Sequence, residues 1–480
     1  MNSLVALKVQ DLCVTVQSTG AQPIKNLSLS LGAGESLTFI GESGSGKSIL
    51  AQAIMGTLPK GLRASGGMQV WGMDTRAERQ RTQSLWGKQI MMLPQEPWLS
   101  LNPLMRVQPQ VAEAGYFASY SADQSAGQLT WTQANEQARS ALDKLGLAHA
   151  SQQWPHQLSG GMAHRVALAA TQLCGAQLLL ADEPTKGLDA AMRNQVAQLL
   201  LTQRRAGKTL LTITHDLDLA AMLGGHVAVM LAGEIVETGA AGTVLKSPQH
   251  AYTRELVAAQ PKHWQSMHQY LPASNHMVIE GKQLSKAYGA HTLFNGVDIC
   301  LRAGEVVAIA GPSGCGKTTL GNMLLGLVRP DAGQVKRAGG AQRHQFQKLY
   351  QDPPAAFAPS LTMHTTLQDV VKLHGLNMAD IKPWMQKLKL APALLARKPS
   401  EISGGELQRF ALLRLLLVKP VFIFADEPTS RLDPITQKDT MRLLCSAAAE
   451  QHCAVLLVTH DTDVAAKTAH HVHRIDFCTA

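Results

Sequence analysis

Two loops of one pattern constrain this chain more than any other feature. They are Gly41-Glu42-Ser43-Gly44-Ser45-Gly46-Lys47-Ser48 and Gly311-Pro312-Ser313-Gly314-Cys315-Gly316-Lys317-Thr318, with their lysines 270 positions apart. Both fit G-x-x-x-x-G-K-[ST]. The pattern carries a mechanism. Glycines let backbone N–H groups turn inward around phosphate oxygens, and the helix that follows adds its positive N-terminus. The lysine reaches the β- and γ-phosphates, and the Ser or Thr hydroxyl ligates Mg²⁺. Each loop follows an apolar run, Leu37-Thr38-Phe39-Ile40 or Val306-Val307-Ala308-Ile309-Ala310. Strand, phosphate loop and helix are therefore expected twice.

The rest of each half repeats in the same order. Asp182-Glu183 follows Leu178-Leu179-Leu180-Ala181, and Asp426-Glu427 follows Val421-Phe422-Ile423-Phe424-Ala425. An apolar run ending in acids reads as a buried parallel strand with carboxylates at its C-terminal end, where α/β sheets bind ligands. Upstream stand Leu158-Ser159-Gly160-Gly161-Met162 and Ile402-Ser403-Gly404-Gly405-Glu406; downstream stand Thr214-His215-Asp216 and Thr459-His460-Asp461. Ser159 and Ser403 differ by 244 positions, as do Asp182 and Asp426, and the histidines differ by 245. Such self-similarity means two copies of one domain.

The order of phosphate loop, glutamine, Ser-Gly-Gly segment, Asp-Glu pair and histidine resembles the nucleotide-binding domain of ABC ATPases, in tandem over nearly the whole chain. The resemblance implies an α/β fold. Two tandem P-loop NTPase domains are expected, each with a RecA-like core, an antiparallel β subdomain and a helical signature subdomain. It also implies ATP and Mg²⁺ as cofactors and ATP hydrolysis as the activity.

Roles follow residue by residue from the same resemblance. Lys47 and Lys317 hold phosphates within their loops. Ser48 and Thr318 ligate Mg²⁺, and Asp182 and Asp426 support it. Glu183 and Glu427 resemble the general base that positions attacking water; a carboxylate suits this because it accepts a proton and orients water. Gln95 and Gln351 fit the glutamine that contacts Mg²⁺ and water and senses the transporter partner. His215 and His460 fit the histidine that touches the γ-phosphate. Ser159-Gly160-Gly161 and Ser403-Gly404-Gly405 open helices whose N-termini face nucleotide in trans. One ATP is thus expected between Lys47 and Ser403, the other between Lys317 and Ser159, with Asp189 and Asp433 crossing the interface.

Departures from the family pattern fall unevenly on the two copies. Tyr288 stands where an aromatic stacks on adenine, and alignment of the first copy places Val16 there. His164 replaces the glutamine that Gln408 supplies. The second signature carries Ile402 and Glu406 in place of Leu and Gln. Two unequal sites are expected.

Domain one is expected over 1–261, a connector rich in Pro, Ser, His and Gln over 262–276, and domain two over 277–480. Lys47 to Gln95 is 48 steps and Lys317 to Gln351 is 34; glutamine to signature serine is 64 against 52. The extra length of copy one therefore falls in the antiparallel and helical subdomains.

No run approaches the ~20 apolar residues of a membrane span. The start, Met1-Asn2-Ser3-Leu4-Val5, has no basic region before a long apolar stretch, so no signal peptide is expected. Seven scattered cysteines without metal-ligand spacing read as reduced thiols. The net charge of +9 comes without a dense Lys/Arg block, so no nucleic acid is expected. A cytoplasmic face near anionic lipid accounts for it.

Glu96-Pro97-Trp98-Leu99-Ser100-Leu101-Asn102-Pro103 and Asp352-Pro353-Pro354-Ala355-Ala356-Phe357-Ala358-Pro359 resemble segments of oligopeptide, dipeptide and nickel importer ATPases. Pro248-Gln249-His250-Ala251-Tyr252-Thr253-Arg254-Glu255-Leu256 is similar to the tail element of that subfamily, and Gly56-Thr57-Leu58-Pro59-Lys60-Gly61 looks like its nickel-type members. The expected role is the energising ATPase of an importer for peptides, nickel or metal chelates. Its expected location is peripheral on the cytoplasmic face of the inner membrane, with permease subunits and a substrate-binding protein as partners. Two alternatives stand beside it: the ATPase of a phosphonate carbon–phosphorus lyase assembly, and a ribosome-associated tandem ABC protein.

Overall fold

A computed structural model describes residues 4–75, 79–119, 128–188, 190–267, 274–289, 291–311 and 314–475. It divides into two compact units, Met1–Val257 and Ala258–Ala480.

The first unit opens with β1 (Val5–Val16), β2 (Ile24–Gly32) and β3 (Ser36–Ile40). Next come β4 (Leu62–Val70), β5 (Met73–Asp74), β6 (Ile90–Leu93), β7 (Leu178–Asp182), β8 (Thr209–Ile213), β9 (His226–Leu231) and β10 (Glu234–Ala240). One antiparallel sheet runs β2-β1-β4-β5. A second sheet runs β10-β9-β3-β8-β7-β6, parallel from β9 through β6, with β10 antiparallel at its edge. Every residue of β3, β7 and β8 is buried. That matches their lack of polar–apolar alternation, with only Ser36, Thr38, Thr209 and Thr212 as small hydroxyl residues and Asp182 at the end of β7, since a parallel strand covered on both faces has no solvent side to alternate with. Helices Val107–Ser119, Trp131–Lys144 and Gly160–Leu173 form a separate cluster around Val107, Val111, Ala138, Leu142 and Val166.

The second unit holds β11 (Met277–Tyr288), β12 (His291–Arg302), β13 (Val306–Ala310) and β14 (Ala332–Arg337). It continues with β15 (Phe346–Leu349), β16 (Phe422–Asp426), β17 (Ala454–Val458) and β18 (His471–Arg474). Its sheets are β12-β11-β14 and the parallel β15-β16-β17-β13-β18. The central order is that of the first unit, with β13 in the place of β3 and β16 in that of β7.

The excess length of copy one takes definite forms. Between the phosphate loop and Gln95 lie β4, β5 and the helix Arg79–Gln83, where the second unit has only β14 and a single helical turn before β15. In the helical part Trp131–Lys144 has 14 residues and Ile381–Lys387 has 7.

The segment expected as a connector is anchored on the second unit. Trp264, only 2% exposed, joins that unit's core with Leu444, Val464 and Ala465, and its indole N–H donates to the Ala259 carbonyl at 2.7 Å. Met267 N–H donates to the Lys467 carbonyl at 2.6 Å. A buried indole removes a large apolar area from water, so these residues do not behave as a spacer.

Candidate functional site

Both phosphate loops connect a buried central strand to a helix, Lys47–Met55 after β3 and Lys317–Leu325 after β13. Gly46 and Gly316 hold left-handed φ values of 102° and 96° at the helix starts. A Cβ at Gly46 would stand 2.4 Å from the Pro23 carbonyl oxygen, so only glycine fits. Lys47 Nζ donates to the carbonyls of Gly41 at 2.8 Å and Glu42 at 2.6 Å, and to Ser45 Oγ at 3.2 Å. Lys317 Nζ donates to the Gly311 carbonyl at 2.8 Å. Each ammonium is folded back over its own loop, beside the concave row of N–H groups. Ser43 and Gly44 line the first loop; Gly314 and the fully buried Cys315 continue the second. Pro312, Ser313 and Asp189 lie outside the described residues.

The carboxylates meet the loops where the strands end. Ser48 Oγ donates to Asp182 Oδ1 at 3.3 Å, and Thr318 Oγ1 donates to Asp426 Oδ1 at 3.0 Å. Each pair sets a hydroxyl and a carboxylate oxygen side by side at the mouth of a phosphate loop. Hard oxygen donors of this kind suit Mg²⁺, which takes few protein ligands and fills its shell with phosphate and water.

Glu183 and Glu427 follow with φ of 50° and 45°. Left-handed backbone at a glutamate is strained, and such strain is kept where a side chain must be aimed. Glu183 N–H donates to the Ile213 carbonyl at 2.7 Å, and Glu427 N–H to that of Val458 at 2.9 Å, which locks the turn.

Around these glutamates the copies differ. In the first unit Glu183 Oε2 lies 2.8 Å from His215 Nδ1 and accepts from Thr214 Oγ1 at 3.3 Å. Burial alone would raise the Glu183 pKa; the His215 imidazole outweighs it and holds the carboxyl below its usual range. Burial alone would lower His215; Glu183 raises it. Asp182 is pushed up to about 6 by burial and by the neighbouring Glu183 charge. In the second unit His460 Nδ1 is 3.4 Å from Glu427 Oε2, and Gln351 Nε2 donates to that same oxygen at 3.0 Å. His215 and Thr214, not Gln95, hold the matching oxygen in the first unit.

Each signature serine caps a helix. Ser159 Oγ accepts from Met162 N–H at 3.3 Å at the start of Gly160–Leu173. Ser403 Oγ accepts from Glu406 N–H at 3.4 Å and donates to Glu406 Oε2 at 2.6 Å at the start of Gly404–Leu417. The departure at Glu406 thus closes a capping box that Met162 cannot form. Gly160 and Gly404 have open space where a Cβ would stand.

Tyr288 ends β11; the residue is 55% exposed and Lys286 Nζ lies 5.3 Å from its ring centroid. Strand register puts Val16 in the same place. Leu12 pairs with Leu27 and Val14 with Ile24; Leu284 pairs with Val297 and Lys286 with Phe294. Two residues on, Val16 and Tyr288 close their strands.

Two residues at these sites escaped the sequence. Tyr252, buried in helix Ala251–Ala258, accepts a hydrogen bond from Glu42 N–H at 2.8 Å. Lys348 Nζ lies 3.1 Å from Asp426 Oδ2. The first could have been suspected from the tail motif; nothing in the local sequence marks the second.

Residues 24–186 and 294–430 match the family model described as ABC transporter. The chain belongs to the ABC transporter family. It is an ATPase of that family, and ATP is its nucleotide. A "Peptidoglycan transport ATP-binding protein YejF" of Agrobacterium fabrum is 33% identical, over 96% of this chain and 89% of the relative. A "Glutathione import ATP-binding protein GsiA" of Salmonella typhi is 31% identical, over 98% of this chain and 85% of the relative. The solved structure titled "RNase-L Inhibitor" aligns with a TM-score of 0.65 at 19% identity, over 97% of this chain and 87% of that one, a likeness of fold.

Proposed function

We propose that this chain is the energy-coupling ATPase of an importer for peptides or peptide-containing compounds, carrying both nucleotide-binding halves in one polypeptide. The observation that carries this reading is the match of nearly the whole tandem chain to a peptidoglycan transport protein and a glutathione import protein. Both named cargoes contain amide-linked amino acids. Nickel is set apart from peptides only by Gly56–Gly61 and is the weaker cargo. Two transport relatives favour an importer over a lyase assembly.

In each half Lys47 or Lys317 leaves its loop carbonyls to meet phosphate oxygens, joined by the loop N–H groups. Ser48 with Asp182, and Thr318 with Asp426, would hold Mg²⁺, and Gln95 and Gln351 are the further groups assigned to contact it. Bound there, Mg²⁺ would supply positive charge that offsets the charge of the phosphate oxygens. Glu183 and Glu427 accept the proton of attacking water, and His215 and His460 orient those carboxylates and reach the γ-phosphate. The signature N-termini at Ser159 and Ser403 carry positive helix dipoles suited to a nucleotide.

Among the described residues no helix is long and apolar enough to cross a membrane. Attachment to the inner face of the membrane is therefore assigned to permease subunits, which in turn receive cargo from a substrate-binding protein. Two measurements test this reading. Deleting the gene should abolish uptake of labelled short peptides and restore it on complementation; normal peptide uptake with lost nickel uptake would reverse the cargo order. Cell fractions lacking the permeases should show the chain released from membranes; unchanged attachment would sink the docking.

A further inference from the structure

The two parallel sheets present different side chains to their terminal aspartates. In the first, Met92 of β6 pairs with Leu180 of β7; in the second, Lys348 of β15 pairs with Phe424 of β16. Both positions lie two residues after the strand starts and face the strand that ends in the aspartate. A thioether in one copy is thus replaced by an ammonium in the other. The Lys348 ammonium is 3.1 Å from Asp426 Oδ2, while Thr318 holds Oδ1. Lys348 is largely buried and held from other sides as well. Nζ donates to Asn322 Oδ1 at 3.2 Å and lies 4.9 Å from the Phe424 ring centroid and 5.4 Å from that of Tyr350. An amide oxygen, a carboxylate and two aromatic faces all favour a cation at that point.

We propose that Lys348 acts as an internal counter-cation of Asp426 and uncouples nucleotide binding at the second site from Mg²⁺. This rests on the reading of Asp426 as the carboxylate that supports Mg²⁺. The ammonium already neutralises the carboxylate, so a divalent ion arriving there gains less attraction and meets a like charge within a few ångström. In a partly buried site such repulsion is worth at least about tenfold in metal affinity after screening. The first site, with Met92 in that place, carries no such charge from β6. Lys348 is a specificity-determining residue toward the metal and takes no part in bond breaking.

The test uses the full-length chain with Lys47→Ala, which leaves the second site to report. ATP affinity is measured by fluorescence or calorimetry with Mg²⁺ and again with chelator, and the ratio of the two dissociation constants gives the coupling to metal. Lys348→Met is expected to increase that ratio about tenfold. Met92→Lys, placed in a Lys317→Ala background, is expected to lower the first site's ratio by a similar factor. Asp426→Asn serves as the control on the underlying assignment. If Asp426→Asn lowers the ratio while Lys348→Met leaves it unchanged, the role given to Lys348 is overturned and the aspartate keeps its own. If neither changes it, the aspartate assignment falls first. Should Lys348→Met fail to fold, Lys348→Gln and Met92→Lys decide the matter by the same ratio.

Discussion

The hydroxyl of Tyr252 accepts a hydrogen bond from the backbone N–H of Glu42 at 2.8 Å. It joins the last helix of the first unit to that unit's phosphate loop across 210 residues of sequence. The docking is backed by Glu237, which accepts from the N–H groups of Gln249 at 2.8 Å and His250 at 3.0 Å. The second loop has Pro312 where the first has Glu42. A proline offers no N–H, so that loop has no amide at this position for a tail to satisfy. Tail and loop are matched within copy one.

Tyr252→Phe should therefore loosen the first loop. Removing the acceptor takes one hydrogen bond from the Glu42 N–H, worth about 1 kcal/mol. The Glu42 amide is expected to exchange with solvent about fivefold faster, while the Lys317 loop keeps its rate. Unchanged exchange at Glu42 would show that the hydroxyl does not hold the loop.

Much of this architecture was legible because its signals are local. Leu37–Ile40 and Leu178–Ala181 announce buried strands by apolar continuity, and Gly46-Lys47 and Gly316-Lys317 mark the turn from strand to helix. Residue counts located the extra length of copy one but not its form, since counting cannot tell β5 and helix Arg79–Gln83 from a loop. The segment after Pro261 reads as a spacer by composition, yet the single residue Trp264 outweighs its polar neighbours. Partners distant in sequence were hidden altogether. Tyr252 meets Glu42, and Lys348 meets Asp426, only once the sheets have formed. The left-handed backbone at Glu183 and Glu427 was equally invisible, because no residue preference announces it.

Burial pushes the His164 imidazole from 6.5 down to about 4, and its Nε2 has no hydrogen-bond partner among the described residues. Gln408 occupies the matching place in copy two, buried as well. The folded state binds fewer protons than the unfolded state between these two values. Stability of the first unit is therefore intact above pH 6.5 and declines as pH falls from there toward 4. Between pH 7 and pH 5 this one group should cost about 2 kcal/mol. His164→Gln should flatten that part of the profile, read by urea unfolding or by exchange in helix Gly160–Leu173. Identical pH profiles in the two proteins would mean that His164 is solvated in solution.

Gln351 Nε2 and His460 Nδ1 converge on Glu427 Oε2, so the carboxylate is aimed before nucleotide arrives. Glu427→Gln keeps shape and hydrogen bonding but cannot accept a proton. Turnover is expected to fall about 100-fold or more, with ATP affinity within about twofold of the parent. Retention of most of the hydrolysis rate would remove Glu427 from the role of base. Glu183→Gln tests the first site in the same way. Its effect should also include lost pairing with His215, visible as a lowered imidazole pKa by NMR.

Adenine recognition should separate the two sites. Tyr288 closes β11 with an exposed ring, and strand register places Val16 at the same point of β1. An aromatic ring stacked on a base contributes about 0.5–1.5 kcal/mol beyond the area it buries. Valine offers area without that term. Weaker ATP binding is expected at the Lys47 site, by about threefold to tenfold. Lys317→Ala leaves only the first site to titrate, and Lys47→Ala only the second. Val16→Tyr should tighten the first, and Tyr288→Ala should weaken the second by a similar factor. The cation–π contact with Lys286 supplies a control, because Lys286→Met removes the charge beside the ring and leaves the ring itself. If stacking is the source of the difference, Lys286→Met changes affinity less than Tyr288→Ala does. Equal affinities at the two sites, with no response to Val16→Tyr, would mean that adenine in copy one rests on a residue other than Val16.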